Sequence, residues 1–262
     1  MMPPVAELQD MLTAWMLGSA RVLAVFSMLP FFGRQNSAPV LRAAIAAAFA
    51  LPALPLVLAQ YSASPVESGW LLLLIVKEGA IGLLLGIPVA IPFWAAEAVG
   101  FVISNQSGAA MAGTINTMTG NDSSALAILV NQAYIVLFLL LGGVNLVLGM
   151  IYDSYAAWPV TGFLPQFAPE FAKYGLGLLD TLMHLTVTVA APVMIAMLLA
   201  ELGLGLVSLF APQMQVFFLA MPVKGAIALF VLAMYFGTLL DYFGRTVTKI
   251  PATLEVLKGL LR

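Results

Sequence analysis

The chain has 262 residues, of which 62% are hydrophobic and only 8% are charged. A soluble domain carries roughly a quarter charged residues, so composition excludes an ordinary soluble enzyme and requires lipid or a large apolar assembly as surroundings. The net charge of −2 excludes a basic surface for nucleic acid, and the absence of cysteine excludes disulfides, thiolate catalysis and cysteine metal sites.

Six apolar segments follow one another, each long enough for the ~20 residues that a bilayer crossing needs. They cover approximately residues 8–32, 38–59, 70–103, 124–151, 176–209 and 214–240. We therefore predict an all-α, polytopic membrane-type fold. Residues 1–240 form one helical core, and residues 241–262 form a polar, amphipathic C-terminal tail.

The third segment contains Pro88 and Pro92, four residues apart. Each proline removes a helix donor and clashes with the preceding turn, so we predict a helix break at this point. Irregular backbone at membrane depth is tolerated only against protein or a water-filled cavity. The segment is therefore either a broken hairpin that lines a pore or an ordinary proline-kinked membrane helix.

A polar stretch, SNQSGAAMAGTINTMTGNDS, separates the third and fourth segments at residues 104–123. Its glycines permit tight turns, its amides and hydroxyls can satisfy an irregular backbone, and its methionines offer adaptable apolar contacts. This mixture favours a compact loop that plugs an aqueous passage over a plain exposed linker. The predicted plug residues are Asn105, Gln106, Gly108, Met111, Gly113, Thr114, Asn116, Met118, Gly120 and Asn121.

Ionisable residues, Arg21 among them, lie within or beside the apolar segments, where a charge is costly unless it faces a bundle interior, water or a partner. Lys77, Glu78 and Glu97 are predicted to be buried polar residues or subunit contacts. The alternative is snorkelling to the interface for Lys77 and Glu78, and a wet surface for Glu97. Asp180 and His184 share a helix face at i, i+4 and are the best candidates for ion coupling.

Basic residues cluster at 34–42 and again at 245–262. If all six segments cross the membrane, the two clusters lie on opposite sides of the bilayer, an arrangement that the positive-inside rule disfavours. We give the C-terminal cluster more weight and predict a cytoplasmic tail. Leu254, Leu257 and Leu261 follow helical spacing, so the tail is either an interfacial amphipathic helix or a docking segment.

Phosphate-binding, zinc-protease and serine-hydrolase motifs are absent from the sequence, and no cofactor is predicted. Small residues at Gly82 and Gly86, Gly142 and Gly143, and Gly203 and Gly205 indicate close helix packing. Two function classes remain: a non-enzymatic channel subunit, and a secondary transporter that would couple ions through Glu97, Asp180 and His184.

Three extended stretches resemble the FliR/SctT family of flagellar and virulence-associated type III secretion machines. They are LPFFGRQNSAPVLRAAIAAAFALPALP (29–55), the run from KEGAIGLLLGIP to ALAILVNQ (77–132), and GGVNLVLGMIYDSYAAWPV (142–160). The patterns NQ-x-GA, TG-x-D-S and WPV look more like the virulence branch than the flagellar one.

The resemblance implies kinked and broken helical hairpins that assemble into an export-gate complex in the bacterial inner membrane. Its implied partners are SctR/FliP-like and SctS/FliQ-like subunits, an SctU/FlhB-like switch subunit at the base, membrane lipid and unfolded secreted substrates, with no nucleic acid. It also implies that the loop at residues 105–123 is the plug of the export channel.

Overall fold

The computed structural model describes residues 5–32, 38–64, 68–108, 124–162, 168–210 and 216–261. Regular structure in these ranges is helical, which confirms the predicted all-α class. The helices are α1 (Val5–Met28), α2 (Pro39–Ala50), α3 (Leu54–Ala63), α4 (Leu71–Ser107), α5 (Ala125–Leu140), α6 (Gly143–Ala157), α7 (Phe171–Phe210), α8 (Val216–Val247) and α9 (Ile250–Leu260).

Within the described residues, five helical stretches are long and apolar enough to cross a membrane, and the bent pair α5–α6 makes a sixth if it counts as one span. These six correspond in order to the six predicted segments, with the second built from α2 and α3. Helices α4 and α7 contain 37 and 40 residues. At 1.5 Å per residue they are about 55 and 60 Å long, well beyond a ~30 Å bilayer core.

The predicted helix break at Pro88 and Pro92 is wrong, because α4 continues through both prolines. Each proline removes one backbone hydrogen bond, but buried side chains on either side of the pair, including Leu85 and Phe93, hold the helix in place. A proline therefore need not end a well-packed helix. Pro192 and Pro222 likewise lie inside α7 and α8.

The break lies instead in the fourth segment, where α5 and α6 meet at an angle of 69°. Gly142 takes a φ of +71° there, a left-handed conformation that glycine adopts without strain. Of the glycine pair predicted to make a packing contact, Gly142 forms a turn instead, since a Cβ there would meet no atom within 4 Å, whereas Gly143 is buried at the start of α6.

Two compact units divide the chain. The first comprises Met1–Ile91, Gly142–Leu178 and Thr248–Arg262. In it α1 packs against α2 and α3, and it lies so close to α4 that a Cβ on Gly82 would be 2.5 Å from the Arg21 carbonyl oxygen. Gly86 meets α1 one turn later, with a Cβ position 3.2 Å from Val25 Cα, which confirms the predicted close packing.

The second unit comprises Pro92–Leu141 and Leu179–Val247. Its core is an aromatic cluster in which Tyr134 of α5 packs against Phe93 of α4 and Phe243 of α8, with ring centroids 4.6 and 5.1 Å apart. The Tyr134 hydroxyl lies 3.1 Å from Thr246 Oγ1, so the ring's polar end is satisfied at the edge of the apolar core. Gly203 and Gly205 make no close contact with the described residues, since a Cβ on either would have none of their atoms within 4 Å.

The C-terminal tail is not a separate segment from residue 241 onward, because α8 extends to Val247 and only then gives way to α9. The apolar face of α9 is buried against α6 at Leu254, Leu257 and Leu261. Trp158 Nε1 donates to the Leu261 carbonyl oxygen at 3.2 Å. The spacing correctly predicted an amphipathic helix, but its apolar side is covered by the chain itself and is free neither for the interface nor for a partner.

Candidate functional site

A buried ion cluster joins α1 to α4 in the first unit. Arg21 and Glu78 are fully buried and Lys77 is 3% exposed. Arg21 Nε lies 2.7 Å from Glu78 Oε2, and Lys77 Nζ lies 2.8 Å from Glu78 Oε1. Lys77 and Glu78 are therefore buried polar residues, and the snorkelling alternative is wrong for both.

Arg21 uses its whole guanidinium group. Nη1 donates to Ser154 Oγ at 2.9 Å, Nη2 donates to the Trp158 carbonyl oxygen at 2.9 Å, and Cζ lies 4.2 Å from the centre of the Tyr155 ring. A planar, delocalised cation with several fixed donors suits this combination of carboxylate, hydroxyl, carbonyl and aromatic partners. A lysine at position 21 could not reproduce it.

Lys77 directs its three protons at three carbonyl oxygens, those of Pro159, Val160 and Gly162, at 3.1, 2.6 and 3.1 Å. Its contact with Glu78 Oε1 is therefore electrostatic, with no proton left to point at that oxygen. Two cations and one carboxylate leave a formal surplus of +1. This positive charge lies at the C-terminal end of α6, where the helix dipole is negative and the last carbonyl groups have no partner within the helix.

The cluster fixes the turn at residues 158–162 to α1 and α4. The Ser154 hydroxyl donates to the Ile151 carbonyl oxygen and accepts from Arg21, and the Glu78 carboxylate lies between two cations, so the role of the cluster is structural. The sequence marked Arg21, Lys77 and Glu78 as charges in apolar segments. The carbonyl oxygens that Lys77 and Arg21 bind could not be predicted from the sequence, because every residue type has a backbone carbonyl.

The predicted plug loop begins at the end of α4 in the second unit. Its first residues are described: Asn105 is exposed, Gln106 is half-buried, and Gly108 has a φ of +80° with its N–H donating to the Asn105 carbonyl oxygen at 3.1 Å. The others lie outside the described residues: Met111, Gly113, Thr114, Asn116, Met118, Gly120 and Asn121.

Two contacts bring the ends of this loop together. The hydroxyls of Ser104 on α4 and Ser124, the N-cap of α5, are hydrogen-bonded to each other. One turn earlier, Gly100 lies so close to α5 that a Cβ would be 2.5 Å from Ala127 Cα. The end of α4 and the start of α5 are therefore close together. Met221 of α8 lies beside the end of α4, with its Cγ 3.2 Å from the Cβ position of Gly108.

Glu97 lies on the exposed side of α4, one turn after Trp94 and one turn before Phe101. Trp94 and Phe101 are 38% and 46% exposed, and Glu97 has no hydrogen bond or ion pair with any described residue. Of the alternatives predicted for Glu97, burial is therefore wrong, and a wet surface or a contact with another subunit remains.

The candidate ion-coupling residues do not form a site. Asp180 and His184 are both exposed on α7, and among the described residues neither pairs with the other. His184 Nδ1 lies 3.5 Å from Thr188 Oγ1 instead. The described part of the chain holds no group of three or more histidine and acidic residues placed to bind a metal ion.

Comparison with known proteins identifies the family. Residues 12–250 match the model described as "Bacterial export proteins, family 1". The chain is 35% identical over 255 residues to Yop proteins translocation protein T of Yersinia pestis, covering 97% of both chains. It is 33% identical to Surface presentation of antigens protein SpaR of Salmonella typhimurium, over 89% of this chain and 87% of that one. It is also 27% identical to Flagellar biosynthetic protein FliR of Bacillus subtilis, over 96% of each. The chain therefore belongs to the bacterial export proteins of family 1, the FliR/SctT family of the type III secretion export apparatus.

Proposed function

We propose that this chain is a core, non-enzymatic subunit of the type III export apparatus. It would line part of the channel through which unfolded proteins cross the bacterial inner membrane. The observation that carries the proposal is the family match over residues 12–250, together with apolar helices too long for simple bilayer crossings. Faces that extend beyond the bilayer core need other proteins to cover them.

The segment from residue 105 to residue 123 would be the plug of that channel. The Ser104–Ser124 hydrogen bond holds α4 and α5 together where this segment begins and ends. Gly108, with its positive φ, turns the chain away from the axis of α4. Its glycines and methionines suit a segment that seals by soft packing and can be displaced at low free-energy cost.

A seal is needed because a pore wide enough for an unfolded protein would dissipate the membrane potential if it stayed open. The test is deletion of residues 109–120, which keeps Gly108 and Ser124 and leaves three residues to bridge them, a reach of about 10 Å. Ion leakage is then measured in liposomes that contain the purified complex. We expect leakage well above that of the unaltered complex.

The matched control replaces residues 109–120 by a glycine–serine segment of equal length, which keeps loop length but removes the methionines. It should leak as well, though less than the deletion. If the deletion variant assembles normally and leaks no more than the unaltered complex, this loop is not a principal seal.

The partners would be SctR/FliP-like and SctS/FliQ-like helical subunits and an SctU/FlhB-like subunit. Support comes from relatives named as translocation and secretion apparatus proteins. The virulence-associated branch is favoured, since identities of 35% and 33% to the Yersinia and Salmonella proteins exceed the 27% to the Bacillus flagellar protein. Purification of the tagged chain from its native membrane tests this. Recovery of the chain alone would contradict it.

The C-terminal end would face the cytoplasm, as its basic residues Arg245, Lys249, Lys258 and Arg262 suggest. Because α9 buries its apolar side on α6, only its outer side, with Glu255 and Lys258, would be available to other subunits. Protease access to a C-terminal tag in spheroplasts and in inverted vesicles tests the orientation.

A further inference from the structure

An acidic side chain with aromatic neighbours on an otherwise apolar helix face is the feature that the proposed function leaves unexplained. Trp94, Glu97 and Phe101 follow i, i+3, i+7 spacing, which places them along one side of α4. All three are exposed, while Ala95, Ala96 and Val99 on the other side of the same turns are fully buried. The surface formed by Trp94, Glu97 and Phe101 is called the 94–101 surface below.

Glu97 lies ten residues from the end of α4 at Ser107, about 15 Å at helical rise. A glutamate side chain is too short to reach the end of the helix over that distance, unlike the long side chains that snorkel. Among the described residues, none forms an ion pair or hydrogen bond with the Glu97 carboxylate. Glu78 on the same helix, by contrast, is paired with two cations.

Three surroundings could cover this surface, and two of them fit poorly. Lipid would cover the two aromatic rings but leave the carboxylate uncompensated. Water in a channel would solvate the carboxylate but leave two large aromatic side chains exposed above and below it. A protein helix with a basic side chain satisfies all three residues, because aromatic residues are enriched at interface cores and a buried acid there needs a cation.

We infer that the 94–101 surface binds an apolar helix of another export-apparatus subunit, with an arginine or lysine of that helix paired to Glu97. This inference rests on the proposed membership of an assembly, not on the plug. The aromatic rings would pack on either side of the pair and exclude water from it, the arrangement typical of residues that dominate binding energy.

The first experiment keeps Glu97 in place. A photo-crosslinking amino acid is introduced at Phe101, and the native complex is irradiated before purification. In parallel, Ala98→Cys supplies a unique thiol beside Glu97, since the natural chain has no cysteine. We expect crosslinking to one other subunit. We also expect a membrane-impermeant maleimide to label the thiol of Ala98→Cys at least tenfold more slowly than that of Glu255→Cys, an exposed control on α9.

The second experiment changes the charge. Glu97→Lys should lower the recovery of the crosslinked subunit, relative to the amount of this chain, at least tenfold. Glu97→Gln should lower this recovery less, and Glu97→Asp should leave most of it. Glu255→Lys is the matched control and should have no effect, because Glu255 is 72% exposed and pairs only with Lys258. Reversing the charge of the basic residue in the crosslinked segment should restore assembly with Glu97→Lys.

Rapid labelling of the Ala98→Cys thiol in the intact complex, or crosslinking at position 101 to lipid alone, would overturn the inference in favour of water or lipid. Normal assembly of Glu97→Lys would overturn it too. None of these results bears on the proposed plug, which is tested by ion leakage through the complex that carries the loop deletion. Recovery of the chain without any other subunit would instead contradict the proposed function itself.

Discussion

Removal of the Glu78 carboxylate tests the buried ion cluster most directly. In Glu78→Ala, Arg21 keeps Ser154, the Trp158 carbonyl and the Tyr155 ring, and Lys77 keeps its three carbonyls, but two buried cations lose their counter-charge. Breaking a buried pair by removing one partner costs about 3–5 kcal/mol. Against a typical total stability of about 5–15 kcal/mol, that is a large fraction.

Thermal unfolding in detergent, followed by tryptophan fluorescence, measures this loss because Trp158 belongs to the cluster. At roughly 2–4 °C per kcal/mol for a chain of this size, Tm should fall by about 6–20 °C. Glu255→Ala is the control: its pair with Lys258 is exposed and is worth about 0–1 kcal/mol.

Replacement of both charged partners separates pairing from packing. In Arg21→Met with Glu78→Met, the cation at position 21 is removed together with the carboxylate and only Lys77 remains without a counter-charge. Tm should therefore recover part of the loss seen in Glu78→Ala. A Glu78→Ala variant whose Tm falls no more than that of Glu255→Ala would refute the role of the buried pair. Simple additivity of the two methionine substitutions would refute it as well.

Two glycine substitutions test the backbone contacts. Gly100→Ala places a methyl group against the backbone of α5 and should destabilise the protein by about 1–3 kcal/mol, measured as a lower Tm. An unchanged Tm would show that α4 and α5 can move apart without loss of stability. Gly142→Ala forces a left-handed φ on alanine and should cost about 1–2 kcal/mol, again measured as a lower Tm. Gly149→Ala, inside α6 with open space around it, is the control for both and should be neutral or stabilising by up to about 1 kcal/mol. A Gly142→Ala variant as stable as that control would mean that the turn between α5 and α6 tolerates another conformation.

The apolar segments could be predicted from the sequence because hydrophobic length is a property of composition alone. The same holds for the amphipathic α9, whose leucines follow helical spacing. The helix break was misplaced for a physical reason: proline lowers helix stability locally, whereas tertiary packing decides whether the helix ends. The turn at Gly142 was missed because a glycine pair in an apolar run is compatible with both a close contact and a left-handed turn.

The charged residues show the same limit. Arg21, Lys77 and Glu78 stood out in the sequence because charges are rare in this chain. Their mutual pairing was not visible, since Arg21 and Glu78 are separated by 57 positions. Glu97 could be marked as unusual for the same reason, but its exposure depends on which side of α4 is packed, and helical periodicity alone does not decide that.

Backbone ligands at the turn after α6 have a consequence for variation among members of this family. Lys77 binds carbonyl oxygens of residues 159, 160 and 162, and every amino acid provides such an oxygen. A substitution in that turn therefore leaves the hydrogen-bond acceptors of Lys77 in place, provided the path of the main chain is kept. For this contact the constraint falls on the donors, so positions 21 and 77 should stay basic, whereas exchange of side chains in the turn is limited by packing at Val160, which is fully buried.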